Sequence, residues 1–479
     1  MAQSVKKNFG YNLVLTFCNY LFPLLTYPYV SRVLGVDKIG TCNFVDSLIN
    51  YFVLFAALGV GSYGVREIAK CRDDLDKRNR VFSNLVAINF LGTSLALIVL
   101  VCLTLMLPAL QSYREFLWVG VLKLVFSMFL IEWFFQGIQE FRYITIRSVF
   151  VRLIYVIGVF VFVHTKEDAV IYFVLTVMTT VLNALCNWFY SRRFCSFRFN
   201  QIAIGQFILP VLVFGYYRLL TYMYTTFNTV FLGFSSGDRE VGYFTTATKL
   251  YSILMGVFTA FTTVMVPKVS QLISEGNLPK LQKIANQTFS LLSMASLPII
   301  MFCVYHAESI ILLIAGPGYE GAINPFRIVI FLLFVIGMEQ IVVQQFLMAS
   351  TSNKSILTVS TVGAVTGIAL NFILTPTYGA VGSSVAWGIS EFTVLCTGIV
   401  LMKRYVKVSL DALSLVKSFL GATIYVLLLA GLFMLQLSCW VEMMVSAACF
   451  FVTFLLINLK INRNEFVAAG VNKIFHTHF

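Results

Sequence analysis

Apolar runs of membrane-crossing length recur about fourteen times along the 479 residues, separated by short stretches carrying charged residues, Gly, Pro or Asn. A helix needs roughly 17–25 such residues to cross about 30 Å of hydrocarbon, and in lipid the backbone must satisfy its own hydrogen bonds. The runs fall near 9–34, 40–63, 81–107, 116–137, 144–164, 169–190, 205–233, 241–266, 285–305, 323–349, 356–376, 380–402, 419–437 and 440–459. Composition excludes the soluble alternative: 59% of residues are hydrophobic and 11% charged, against roughly 25% charged in a soluble domain. The chain reads as an all-α polytopic membrane protein of about fourteen transmembrane helices, with no room for a sizeable soluble domain. Two lysines precede the first run, which is too long for a signal peptide and is expected to stay as the first helix.

Charge is distributed by side. With the N-terminus placed inside, about 24 of the 34 Lys and Arg fall in loops on one face, including 66–80, 192–198, 268–283 and 403–417, together with Arg142 and Arg147. About five (Arg32, Lys38, Arg114, Lys166, Arg239) fall on the other. That asymmetry is the positive-inside pattern and predicts cytoplasmic termini. It also accounts for the net charge of +13 through topology and anionic headgroups, with no nucleic-acid partner required. The ten cysteines lie scattered through apolar runs without metal-site or disulfide spacing.

Lys123, Arg218 and Lys249 lie inside apolar runs, with Arg327 shallower in another. A cation at mid-membrane costs about 2.5–3.5 kcal/mol on insertion scales, so such residues face a bundle interior or a wet cavity. The acids at depth are Asp46, Glu132, Glu339 and Glu391, candidates for ion coupling or for pairing with those cations. Polar residues recur at helical spacing beside them. Arg218, Thr221, Tyr222, Thr225 and Asn228 share one face of the seventh run, as Asn12, Thr16, Asn19, Pro23 and Thr26 do in the first. Such stripes line water or bond neighbouring helices. Pro23 and Pro28 in the first run and Pro210 in the seventh remove backbone donors and favour bends.

A weak repeat pairs Leu34-Gly35 and Ile39-Gly40 with Leu232-Gly233 and Val241-Gly242, six helices apart, which suggests two parallel six-helix halves. The literal Gly-x-Gly-x-x-Gly at Gly59, Gly61 and Gly64 ends a membrane run with no strand before it, so it is no dinucleotide fingerprint. No Walker-type Gly-Lys-Ser/Thr occurs, and the outer loops are short, the largest about a dozen residues near 315–322. A membrane-embedded polymerase or ligase, which would carry catalytic residues on a long outer loop, is disfavoured, and the chain is expected not to be an enzyme.

Several segments resemble a known family. Pro23-Leu-Leu-Thr-Tyr-Pro28-Tyr-Val-Ser-Arg32-Val-Leu-Gly35 is similar to the first-helix signature of Wzx-type polysaccharide flippases, in the multidrug/oligosaccharidyl-lipid/polysaccharide exporter superfamily. Gly64-Val-Arg66-Glu67-Ile-Ala69, Glu132-Trp133-Phe-Phe-Gln136-Gly137-Ile-Gln-Glu140-Phe, and the turn from Phe231-Leu-Gly233 through Val241-Gly-Tyr243 to Lys249-Leu250 also resemble that family. Asn228 stands where relatives often carry Asp.

The resemblance implies two six-helix lobes, 1–200 and 201–404, plus a final helix pair and tail, 405–479. It implies translocation of undecaprenyl-diphosphate-linked oligosaccharide across the bacterial inner membrane for O-antigen lipopolysaccharide, capsule or exopolysaccharide. No cofactor is expected beyond an H⁺ or Na⁺ gradient. Membrane lipids, a polysaccharide polymerase and a chain-length regulator are the expected partners. On this reading Arg32, Lys123, Arg218, Lys249 and Arg327 attract the diphosphate or acidic sugars, while Asn19, Thr225 and Asn228 bond the glycan. A lipid II flippase is the nearest alternative; a multidrug exporter of the same superfamily would favour an acidic cavity.

Overall fold

The computed structural model describes residues 5–348, 353–405, 412–435 and 438–456; the tail and the 406–411 connection assigned to the final segment lie outside them. Among the described residues the regular structure is helical. Nine helices are long and apolar enough to cross a membrane, and Gly205–Tyr216, Val416–Leu432 and Trp440–Phe454 are shorter apolar helices. Two of the nine are double. Val5–Ala57 breaks at Gly35 and Asn353–Tyr405 breaks at Gly379, each holding two passes of 53 residues together. Among the described residues this amounts to fourteen apolar helical segments, in line with the apolar runs of the sequence.

The chain forms two compact units, Met1–Thr245 with Thr375–Ala380, and Thr246–Leu374 with Val381–Phe479. In the first, Val5–Ala57 packs on Leu75–Met106, Arg114–Ser127 and Phe141–Phe162. Asp74 caps Leu75–Met106 by accepting the Lys77 backbone N–H at 3.1 Å, and that bond holds its carboxyl below the usual range. In the second, Leu278–Tyr305 packs on Ala412–Met434 and Leu332–Glu339.

The repeat has a structural counterpart in the first unit, in a different register from the Leu-Gly alignment. Gly35 (φ 75, ψ 171) and Gly237 (φ 86, ψ 177) take nearly the same conformation, one that L residues avoid. Five residues beyond each lie Gly40 and Gly242, and these two turns press together. A Cβ on Gly40 would sit 1.8 Å from the Asp238 carbonyl oxygen, and one on Gly242 would sit 2.4 Å from the Val36 carbonyl. Thr41 donates to Asp238 at 2.5 Å, Tyr113 to Asp238 at 2.6 Å, and Asn43 to Thr245 at 2.9 Å, closing the junction. The Gly379 turn joins them, since Glu240 accepts the Ala380 N–H at 2.7 Å.

Gly40→Ala is therefore expected to destabilise the protein by more than the usual overpacking range of about 1–3 kcal/mol, because the obstructing atoms are backbone. A thermal-unfolding series of Gly40→Ala beside Gly10→Ala, where nothing lies within 4 Å, checks this.

Candidate functional site

Two helix breaks face a common cavity in the first unit. Val5–Ala57 ends at Leu58 (φ 45) before Val60–Lys70 begins, and Arg114–Ser127 gives way to left-handed Ile131 (φ 30) before Glu132–Gly137. Branched or bulky residues at positive φ are uncommon and tend to gather at functional sites. The cavity measures about 810 Å³, and its polar wall comes from Ser62, Asn89, Ser127, Glu132, Trp133 and Gln136.

The Trp133-Phe134-Phe135 run anchors that wall. Phe134 and Phe135 are fully buried, and Phe82 lies 5.2 Å from Phe134 and 6.0 Å from Trp133, ring centre to ring centre. Trp133 rests on Gly64, where a Cβ would meet the indole at 2.5 Å. The last glycine of the false dinucleotide motif thus serves packing. Gln136, next along, is exposed.

Glu132 is fixed from behind by Arg147, at 2.5 Å. Arg147 is only 6% exposed; it also bonds Asn187 and, at 2.9 Å, Ser148. The charge pattern groups Arg147 with loop cations, but it lies on the Phe141–Phe162 helix and its burial is offset by this network. The Glu132–Arg147 partnership had no sequence signal, since their separation of 15 residues follows no local helix rule.

Lys123 also has a partner. Its ammonium lies 2.6 Å from Asp46, whose other oxygen accepts the Asn50 amide at 3.0 Å. Two of the four deep acids therefore neutralise cations within the first unit.

The remaining candidates are dispersed. Arg32 is exposed and donates to the Pro28 carbonyl at 2.7 Å, breaking in on the proline-interrupted helix that also carries exposed Asn19. Asn228 is 1% exposed on Phe227–Ser236. Arg218 and Thr225 belong to the Gly205–Thr225 helix, but their side chains lie outside the described residues. In the second unit, Lys249 is half-buried, and exposed Arg327 lies 3.5 Å from the Asn324 side-chain oxygen.

Glu339 and Glu391, also in the second unit, meet. The two carboxyls lie close enough to interact, Trp387 Nε1 donates to one Glu391 oxygen at 2.8 Å, and the other Glu391 oxygen is buried without a partner. Glu339 stands where the Leu332–Glu339 α-helix passes into a π-helical segment, Gln340–Leu347, a geometry frequent at functional sites. Gln340 donates to Thr259 at 2.9 Å, whereas fully buried Gln345 has no partner for either amide atom.

The helical architecture defines a multi-pass membrane protein, and its fold is shared with MurJ and the multidrug MATE transporters. The structure titled "Lipid II flippase MurJ, inward closed conformation" superposes with a TM-score of 0.77 at 13% identity, covering 94% of this chain and 99% of that one. An inward-facing multidrug MATE transporter gives 0.58 at 16% identity, covering 84% and 96%. The polysaccharide biosynthesis protein family model matches residues 5–273, more than half of the chain, and the chain belongs to that family. A second model, MatE, matches residues 216–373.

Among curated relatives, a protein of Escherichia coli (strain K12) named "Putative O-antigen transporter" is 25% identical over 410 residues, covering 83% of this chain and 96% of the relative. One of the same name from Shigella dysenteriae is 22% identical, covering 82% and 98%. The Wzx-type resemblance stands on these matches, and the relatives are named as transporters rather than enzymes.

Proposed function

We propose that this protein flips a polyprenyl-diphosphate-linked oligosaccharide across the bacterial inner membrane, from the cytoplasmic to the periplasmic leaflet, for O-antigen or a related surface polysaccharide. The observation that carries this reading is the MurJ-like fold over 94% of the chain together with transporter relatives covering 83% of it. The Lys and Arg asymmetry supports cytoplasmic termini. Alternating access moves the cargo, which then passes to a polymerase and a chain-length regulator.

Arg32, Arg218, Lys249 and Arg327 are the cations assigned to the diphosphate. Asn19, Thr225 and Asn228 are assigned to glycan hydroxyls. Lys123 is set apart, because Asp46 already occupies its charge. For coupling, Asp46 and Glu132 are committed to ion pairs, which leaves Glu339 and Glu391. Two carboxyls brought together in the membrane are suited to take up and release a proton, so H⁺ is preferred over Na⁺ as the driving ion.

Reconstitution of the full chain in proteoliposomes tests this. The lipid-linked O-unit of the host strain should cross, as read by a glycosidase or lectin outside the vesicle, while lipid II and an organic cation should not. Equal transport of lipid II would move the assignment to the alternative flippase, and cation export would move it to a drug transporter.

A further inference from the structure

Among the described side chains, no Lys or Arg lines the cavity framed by Leu58 and Ile131. Its one charged lining group, Glu132, is an acceptor whose position is held by Arg147. A diphosphate would find no cation among those side chains. We infer that this cavity is a subsite for an uncharged sugar of the carried glycan, separate from the place where the diphosphate is held. The inference rests on the transport reading above and adds a location and a chemistry to it.

A pyranose presents a ring of hydroxyls and an apolar C–H face, and the cavity answers both. Ser62 and Ser127 offer hydroxyls, Asn89 and Gln136 offer amides, and Glu132 offers a carboxylate acceptor. Trp133 supplies an aromatic surface that packing on Gly64 and Phe82 keeps from turning.

The indole N–H of Trp133 gives an independent pointer. Trp133 is 7% exposed, lines the cavity, and its Nε1 has no hydrogen-bond partner. Buried donors are nearly always satisfied, and an indole nitrogen can only donate, so an acceptor supplied by a ligand completes it. The volume of about 810 Å³ falls within the roughly 300–1,000 Å³ typical of small-molecule sites, enough for a short oligosaccharide segment. The wall is fixed before binding by the Glu132–Arg147 pair and the buried aromatic run, so little ordering is needed when the sugar arrives.

The test uses the full chain in lipid nanodiscs and two probes, titrated calorimetrically: the O-unit oligosaccharide released from its carrier by mild acid, and inorganic diphosphate. Gln136→Ala alters an exposed side chain, and Trp133→Phe keeps a ring against Gly64 while removing the donor. The pair should weaken oligosaccharide binding by at least about tenfold and leave diphosphate binding within about twofold.

Unchanged oligosaccharide affinity in both variants overturns the subsite, as does a wild type that does not bind the released glycan. Flipping in proteoliposomes separates the two levels. A wild type that flips the lipid-linked glycan while the variants bind normally removes the subsite alone, whereas one that neither binds nor flips removes the transport reading with it.

Discussion

Replacing either Glu339 or Glu391 with Gln is expected to abolish the response of flipping to a pH gradient. A Gln amide is close in size to a carboxyl and can still bond the remaining Glu, so the packing of the Asn353–Tyr405 helix against the π-helical segment should survive. It cannot take up or release a proton. Gradient-driven transport should fall by at least about tenfold, equivalent to 1.4 kcal/mol of lost drive, while gradient-independent exchange of the lipid-linked glycan continues. Proteoliposomes with an imposed ΔpH, compared with vesicles at equal pH, give the measurement. An imposed Na⁺ gradient serves as the third arm. If both variants retain a full ΔpH response, the carboxyl pair is a buried structural contact and coupling lies elsewhere; if only the Na⁺ gradient drives the wild type, the ion is misassigned.

The fourteen apolar segments were legible because each needs only a run of apolar residues, a local property. Even the double helices were visible, since 9–34 and 40–63 meet at the Gly35 turn and 356–376 and 380–402 meet at Gly379. The repeat was legible in kind and displaced in register. A Leu-Gly pair at a helix end led to Gly233, whereas the hinge is a backbone event at positive φ and belongs to Gly237. Helical periodicity says which residues share a face, but not which helix that face meets. For this reason Lys123 and Asp46, 77 residues apart, and Glu339 and Glu391, on separate helices, stand singly in the sequence and meet only in the structure. Trp133 and Gln136 stood out only as a family-like segment. Their cavity depends on two left-handed residues, Leu58 and Ile131, whose conformations no residue type announces.

Breaking the Asp46–Lys123 pair from one side should cost far more than removing it entirely. The side chains are 14% and 29% exposed for Lys123 and Asp46, so water screens the survivor poorly. Lys123→Met leaves Asp46 with the Asn50 amide alone, and Asp46→Asn leaves the ammonium without its counter-charge. Each single variant is expected to lose about 3–5 kcal/mol, read as lower melting temperature and folded yield in detergent. The double variant Asp46→Asn/Lys123→Met buries no net charge and should recover most of that loss, the non-additivity measuring the pair itself. Transport then decides between two roles for Lys123. If the pair only holds helices together, the double variant flips the glycan within about threefold of wild type, a change of under 1 kcal/mol in the barrier. If it is folded yet flips below about a tenth of the wild-type rate, Asp46 is a placeholder that the diphosphate displaces, and Lys123 rejoins Arg32, Arg218, Lys249 and Arg327 among the cations that hold the cargo.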